Sequence, residues 1–269
     1  MPMGFFLSEL TWEEAREAFK KIQTVMIPLG ATEQHGPHLP LGTDWIEADA
    51  LARAVTSQVD IITTQVIPVG LSRQHMDFPG SITVTRDAYK RFVADICESL
   101  IHWGAKRFIF MNQHGGNLDA LTEIALDLRS RYGILSAIPQ WWEIVRDIDG
   151  EFAGAHSGYA ETALVAASRP DLVRYDRAQM APTKPLTEHI TPVELTYFDF
   201  KGAMIRTYLR VKDLSSIGSM AEELHPPPKP LDLRLASAEV GRRLQNSLVQ
   251  IIVEFIREFS TIGPFEPEG

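Results

Sequence analysis

The most reactive combination of side chains in this sequence lies in a short segment around residue 35. Glu33 and His35 are two residues apart, so in extended backbone they point to the same side. Asp44 follows closely, near the predicted start of a helix. Carboxylates together with an imidazole suit Zn²⁺, Mn²⁺ or Fe²⁺, and a carboxylate can bridge two ions. The segment therefore predicts a metal site, and the alternative is a loop of solvated polar residues.

A second polar cluster spans residues 112–117, between a hydrophobic strand and a predicted helix. Loops in that position are often functional, so we interpret His114 as a candidate metal ligand. Gly115 and Gly116 allow the backbone to approach a ligand closely. Asn117 is predicted to cap the following helix. The alternative interpretation is a glycine-rich turn with an incidental histidine.

A third cluster, residues 156–162, contains His156 and Glu161. Glu161 lies at a predicted helix start, where it could complete the shell of a second metal ion or act as a general base. Alternatively, it is a carboxylate favoured by the helix dipole alone. His156 could donate a proton to a leaving group or hold a substrate carbonyl.

Three further residues are candidate substrate contacts. Ser72 and His75 lie in a long loop after the second predicted strand, and either of them could instead be solvated. Trp142 follows the fourth predicted strand and could wall a flat ligand, or it could serve core or subunit packing.

The elements that must position these residues alternate between strand and helix. Predicted strands cover residues 25–29, 61–69, 107–111 and 134–138. Predicted helices cover residues 12–22, 43–58, 85–102, 117–132, 161–168 and 231–259. This alternation favours an α/β fold with a mostly parallel sheet and helices on both faces. Residues 176–230 are expected to be irregular.

Local signals support several of these boundaries. Thr11 followed by Glu14 forms a capping-box pattern at the start of the first helix. Gly104 and Gly133 are expected to end two others. In parallel sheets, ligands bind beyond the carboxyl ends of the strands, which is where the polar clusters follow the predicted strands.

Composition narrows the functional classes. The chain has 269 residues, 45% of them hydrophobic, and a formal net charge of −9. These values are typical of a folded soluble protein, and the negative charge argues against a general nucleic-acid binder. We expect no membrane span and no signal peptide, hence a cytoplasmic location. We also expect one domain over residues 1–269, and a buried, inert thiol at Cys97, the single cysteine.

Taken in order, the three clusters resemble the creatininase (creatinine amidohydrolase) family. The matching text is LGATEQHG from Leu29, the pair Thr43-Asp44, FPGS from Phe78, NQHGGN from Asn112 and HSGYAET from His156. The resemblance covers residues 5 to 175 well and the C-terminal third weakly. It implies a three-layer α/β/α sandwich, hydrolysis of a carbon–nitrogen bond in a small cyclic amide or formamide, and a homohexamer.

The resemblance also implies a binuclear centre of divalent ions, Zn²⁺ or Mn²⁺, with Fe²⁺ as a further possibility. Carried over by position, Glu33 and His114 hold one ion, His35 holds the other, and Asp44 bridges both. Creatininases place a glutamate ligand where this chain has Gly116, and Glu161 is the nearest substitute. Relatives in the wider family include formamide deformylases, a peptidase of redox-cofactor maturation and cyclic-polyol ketone hydrolases. A lyase or isomerase on the same scaffold is the alternative class.

Overall fold

The structure is a computed structural model that describes residues 4–148, 156–179, 181, 185–219, 232–263 and 265–267. Its central strands are β1 (Phe5–Phe6), β2 (Thr24–Leu29), β3 (Ile62–Thr63), β4 (Arg107–Asn112) and β5 (Leu135–Ala137). They pair in the order β1-β3-β2-β4-β5, and every pair is parallel. β2 and β4 form the longest pair, at the middle of the sheet.

Helices cover both faces of this sheet. They are α1 (Trp12–Lys21), α2 (Thr43–Thr56), α3 (Arg86–His102), α4 (Leu118–Tyr132), α5 (Trp141–Ile148), α6 (Tyr159–Ser168), α7 (Val211–Leu214) and α8 (Ala238–Phe259). Buried residues of α1, α3 and α4 form one hydrophobic cluster, and those of α2, α6 and α8 form another. The predicted three-layer α/β/α sandwich with a parallel sheet is therefore confirmed. None of the described helices is both long and apolar enough to cross a membrane.

The two central strands supply side chains to both clusters. Met26 and Met111 pack into the cluster with α2, α6 and α8, whereas Ile27 and Phe110 pack into the one with α1, α3 and α4. Successive strand residues point to opposite faces, so a strand buried on both sides must be apolar throughout. The carboxyl ends of β2 and β4 are consequently held in place by apolar packing on both faces of the sheet.

Several local predictions are confirmed. Thr11 accepts from the Glu14 backbone N–H, and the Glu14 carboxylate accepts from the Thr11 backbone N–H at 2.7 Å. Gly133 ends α4 with a left-handed φ of 67°, which glycine adopts without a Cβ penalty. Cys97 is buried within α3, and burial raises the pKa of its thiol to about 12, as expected for an inert cysteine.

The predicted strand over residues 61–69 is wrong in length, because β3 contains only Ile62 and Thr63. Pro28 of β2 explains the early end. The Met26 carbonyl accepts from the Thr64 backbone N–H at 3.0 Å, but the next parallel rung needs an N–H on residue 28 to donate to the Thr64 carbonyl, and proline has none. Ile67 then makes only an isolated bridge with Leu29. The ladder breaks at the one β2 residue that lacks a donor.

The prediction that residues 176–230 are irregular is also wrong. A three-stranded antiparallel sheet contains β6 (Ile190–Glu194), β7 (Tyr197–Phe200) and β8 (Ala203–Arg206). Residues 220–231 lie outside the described part of the chain. The C-terminal helix α8 begins at Ala238, capped by Ser237, rather than at residue 231. β1 and α5 were not predicted. The single-domain expectation stays a prediction.

Candidate metal centre

The carboxyl ends of β2 and β4 and the start of α2 bring the predicted ligands together. Glu33 and His35 follow β2, Asp44 lies in the first turn of α2, and His114 follows β4. Glu33 is 1% exposed, His35 1% and Asp44 2%. Buried charged groups persist only when they are paired or coordinate a metal. The alternative of solvated loop residues therefore does not describe these side chains.

One group of potential ligands contains Glu33, Asp44 and His114, whose donor atoms lie within 4.8 Å of one another. His114 Nδ1 is 3.2 Å from Asp44 Oδ2 and 3.4 Å from Glu33 Oε1. Two carboxylates and an imidazole at these separations are suited to a divalent transition metal.

A second group contains His35, Asp44 and Glu161, again with donor atoms within 4.8 Å. His35 Nε2 is 2.9 Å from Asp44 Oδ1 and 3.7 Å from Glu161 Oε2. Glu161 reaches the group from the first turn of α6, where its Oε2 also accepts from the Ser157 backbone N–H at 2.6 Å. The two oxygens of Asp44 thus face different groups, which is the geometry of a bridging carboxylate.

The far side of each imidazole is held by a backbone carbonyl. His35 Nδ1 lies 3.1 Å from the Glu33 carbonyl oxygen, and His114 Nε2 lies 3.3 Å from that of Leu71. Such bonds fix the tautomer, so the other ring nitrogen presents a lone pair to a metal. With the ring protons on those far nitrogens, His35 Nε2 and His114 Nδ1 face the Asp44 oxygens at 2.9 Å and 3.2 Å with no proton between them. The donor set therefore fits metal ions.

The metal-free cluster holds protons that ions must displace. Burial raises the pKa of Glu33 and of Glu161 to about 7 in each case. Burial also disfavours the charged form of Asp44, but His35 and His114 outweigh it and hold the pKa below its usual range. For His114, burial lowers the pKa, whereas Glu33 and Asp44 raise it to about 9. Asp44 is therefore the ligand that is ionised before any metal arrives.

Gln34 connects two further histidines beside this centre. Its Oε1 accepts from the Gly36 backbone N–H at 3.0 Å, which fixes the orientation of the amide. Its Nε2 lies 3.0 Å from His75 Nδ1 and 2.9 Å from His156 Nε2. Burial is the main cause that lowers the pKa of both imidazoles well below the ordinary value, so both are neutral at pH 7.

The candidate substrate contacts have different outcomes. His75 Nε2 lies 3.3 Å from Glu33 Oε1, and the Ser72 hydroxyl is buried and interacts with the Glu33 carboxylate. Both lie beside the ligand set. Trp142 instead makes a T-shaped contact with Trp141, with ring centroids 6.0 Å apart, and packs against the α2–α6–α8 cluster. These contacts are those of core packing, and the role of Trp142 as a substrate wall stays a prediction.

The sequence interpretation missed two polar residues. Gln34 was part of the matched motif but received no role, although its position between Glu33 and His35 places it at the site. Glu47 was also overlooked, yet it is buried and lies three residues after Asp44 on α2. The spacing alone puts both carboxylates on one helix face, which was the available signal.

Gly116 is required because of its distance to His114. A Cβ at position 116 would lie 2.5 Å from His114 Nε2 and 2.5 Å from the Leu71 carbonyl oxygen. These two atoms form the contact that orients the imidazole. We expect Gly116→Ala to weaken binding of one metal ion by about 10- to 100-fold, the usual effect of losing such an outer contact. Competition with a chromophoric chelator measures this affinity.

The adjacent Gly115→Ala variant is the matched control, because a Cβ there has no atom within 4 Å. It should bind metal like the unmodified chain. Equal affinities in both variants would contradict the proposed role of the His114–Leu71 contact.

Comparison with curated proteins identifies relatives with different substrates. A mycofactocin precursor peptide peptidase from Mycobacterium ulcerans is 34% identical over 174 residues, which cover 61% of this chain. That alignment spans 66% of the relative, slightly under two thirds of its length. The Mycolicibacterium smegmatis peptidase is 33% identical over 68% of this chain and 73% of its own. A creatinine amidohydrolase from Pseudomonas putida is 31% identical over 66% of this chain and 76% of its own.

Solved structures of creatininases share the fold. A manganese form matches with a TM-score of 0.72 and 24% identity, covering 96% of this chain and 100% of that one. A mutant in a Zn–Zn form matches with a TM-score of 0.74 and 26% identity, covering 96% and 99%. The sequence profile of the Creatininase family, described as creatinine amidohydrolase, matches residues 8–256. With this match over nearly its whole length, the chain belongs to the creatininase family of metal-dependent amidohydrolases.

Proposed function

We propose that this chain hydrolyses an amide C–N bond with a water molecule activated by two divalent metal ions. The observation that carries the proposal is the position of Asp44 between two ligand groups. Glu33 and His114 share one group with Asp44, and His35 and Glu161 share another, while a third group joins Glu33 and His35 to His156.

In this proposal Glu33 and His114 hold one ion, His35 and Glu161 hold the other, and Asp44 bridges them. Zinc or manganese is the expected metal, because creatininase structures with these ions share the fold. Such ions lower the pKa of water toward ~7 and polarise a carbonyl oxygen. The hexamer implied by the resemblance and the cytoplasmic location expected from the sequence remain part of the proposal.

His156 is suited to carry a proton between water and the leaving nitrogen. His156 Nε2 lies 2.9 Å from both the Gln34 carbonyl oxygen and Gln34 Nε2; in the tautomer that carries the proton on Nε2, the carbonyl accepts it and the Gln34 amide donates to His75 Nδ1 alone. Nδ1 then keeps a free lone pair, and it faces the centre at 3.9 Å from Glu33 Oε1. Because the neutral imidazole is favoured, Nδ1 can take a proton from the attacking water and return it to the departing nitrogen.

Glu161 has two possible roles, metal ligand or general base. Its Oε2 is 3.7 Å from His35 Nε2, and it belongs to the same ligand group as Asp44. We therefore assign Glu161 to the second ion and leave the proton transfer to His156.

Small cyclic amides and formamides are the first proposed substrate class, supported by the family match and the similarity to creatinine amidohydrolase. Peptide amides are the second candidate, because relatives at 33–34% identity are peptide peptidases. Both classes need attack on an amide carbonyl, so the same centre serves either of them.

Turnover in ¹⁸O-labelled water tests the proposal. The metal-loaded chain would be screened with creatinine, cyclic ureas, lactams, formamides and short linear peptides. We expect one class to be converted with the label in the new carboxylate, since a hydrolase must place water oxygen in its product. Conversion without label would overturn the proposal in favour of a lyase or isomerase. The chain treated with a chelator is the control and should be inactive.

A further inference from the structure

Glu47 is a buried carboxylate with no partner in the described part of the chain. It is 4% exposed, and neither of its carboxylate oxygens has a hydrogen bond there. A charge left in that state is strongly unfavourable unless something positive or a donor faces it. No lysine or arginine lies among the residues that line its cavity. The side chain therefore requires an explanation that the helix α2 alone does not give.

The position of Glu47 relates it to three parts of the metal centre. It lies one turn after Asp44 on α2. The cavity that it lines also contacts Gln113, which precedes His114, and Leu164, which lies one turn after Glu161 on α6. Glu47 thus stands behind the proposed ligands, between the helices that carry Asp44 and Glu161.

The cavity itself is small and has a polar end. Its volume is about 10 Å³, room for one water molecule. Gln113 is 3% exposed, and its Nε2 has no hydrogen-bond partner among the described residues. A water in this cavity can accept from the Gln113 amide and donate to Glu47, so the carboxylate gains a link to the strand that carries His114.

The net charge of the proposed metal centre indicates the role of Glu47. Two divalent ions bring four positive charges, and Glu33, Asp44 and Glu161 supply three negative ones, so one positive charge is left over as long as the bound water keeps both of its protons. We propose that Glu47 is the fourth carboxylate of the centre, a positioning residue that does not touch the metals but balances their charge. The ligands that interact electrostatically with Glu47 are Glu161, Asp44 and His35, which form one ligand group, so its influence falls mainly on the ion of that group.

In the metal-free chain, we expect the Glu47 carboxylate to destabilise the fold. Burial, followed by the neighbouring charges of Glu161 and Asp44, raises the pKa of Glu47 well above its ordinary value. A carboxyl group whose pKa is raised by folding destabilises the folded chain at neutral pH, where the unfolded chain is ionised. Glu47 is therefore unfavourable without metals and favourable with them. This change of sign separates a charge-balancing role from a purely structural one.

The test compares Glu47→Gln with the unmodified chain in both metal states. We expect the metal-free variant to unfold at higher urea concentration than the unmodified chain. We also expect its affinity for the weaker-bound Zn²⁺ to fall about tenfold or more, since a nearby charge acts strongly on a divalent ion. Chelator competition gives the affinity, and metal analysis gives the stoichiometry.

Two further variants complete the experiment. Glu47→Asp keeps the charge and should retain most of the zinc affinity that Glu47→Gln loses. Asp95→Asn removes an exposed carboxylate of α3, on the opposite face of the sheet, and should change neither measurement. It matches the change in net charge without touching the centre.

Other outcomes overturn the inference. If Glu47→Gln binds Zn²⁺ as tightly as the unmodified chain, Glu47 has no role toward the ions. If the metal-free variant is less stable, the side chain is structural. The inference rests on the proposed two-metal function, but the failures are distinguishable: an unmodified chain that binds no second ion refutes that function, whereas equal binding by both chains refutes only the role of Glu47.

Discussion

Asp44→Asn is expected to remove both metal ions and to lower turnover by ~10³-fold or more, because the ions supply several kcal/mol of transition-state stabilisation. Asp44 is the side chain that faces both ligand groups, through Oδ1 toward His35 and Oδ2 toward His114. An amide lacks the charge to bridge two cations. Metal analysis after dialysis, together with the turnover rate, measures the effect.

Two single-site variants provide the comparison for Asp44→Asn. Glu161→Gln should release only the ion on the His35 side, and His114→Asn should release only the ion on the Glu33 side. The far-ultraviolet circular dichroism of all three variants controls for folding. Unchanged metal content and activity in Asp44→Asn would refute the bridging role, and loss of one ion alone would assign Asp44 to a single site.

Gly241→Ala is expected to destabilise the fold by about 3 kcal/mol, in the range of overpacked core substitutions. A Cβ at position 241 of α8 would lie 1.8 Å from the backbone oxygen of Ala163 in α6. The two helices would have to separate, which would weaken the α2–α6–α8 cluster. Because α6 carries Glu161, binding of the second ion should weaken as well. Urea unfolding of the metal-free chain measures the stability change.

Gly263→Ala is the control for this substitution, since a Cβ at position 263 has no atom within 4 Å. Its unfolding midpoint should stay close to that of the unmodified chain. An unchanged midpoint in Gly241→Ala would show that the close approach of α6 and α8 contributes little to stability.

The central fold could be predicted because its signals are local. β2 and β4 are apolar along their whole length, Thr11 and Glu14 form a capping box, and Gly133 ends a helix. The small antiparallel sheet could not be recognised in the same way. β8 has the sequence Ala-Met-Ile-Arg, without the alternation of apolar and polar residues on which prediction depends, and all four residues are exposed.

Contacts between loops that are distant in sequence were a second feature that could not be predicted. Asn117 was predicted to cap α4, and this prediction is wrong. A 3₁₀ turn over Gly115–Asn117 precedes the helix, so Asn117 already has helical backbone angles and its side chain makes no cap. Its amide instead bonds to the Gly30 carbonyl, the Leu71 N–H and the Asn112 side chain. These bonds join segments far apart in sequence.

The sequence was sufficient to predict the ligands of the candidate centre, but not the polar residues that surround those ligands. Glu33, His35, Asp44, His114 and Glu161 were named from motifs, and the structure brings them together. The matched motif gave Gln34 no role, and the signal for Glu47, its three-residue spacing from Asp44, was weak because a glutamate on a helix usually faces solvent. Whether a polar side chain is buried depends on tertiary packing, which the sequence does not display.

The order of the ligands along the chain has a consequence for synthesis on the ribosome. Glu33, Asp44 and His114 belong to the first half of the chain, whereas the second ion needs Glu161 on α6, which packs against the C-terminal helix α8. A nascent chain can therefore assemble the first site as soon as β4 joins β2. The second site can form only after α8 has been synthesised and has packed against α6, so the two sites become available to metal at different stages of synthesis.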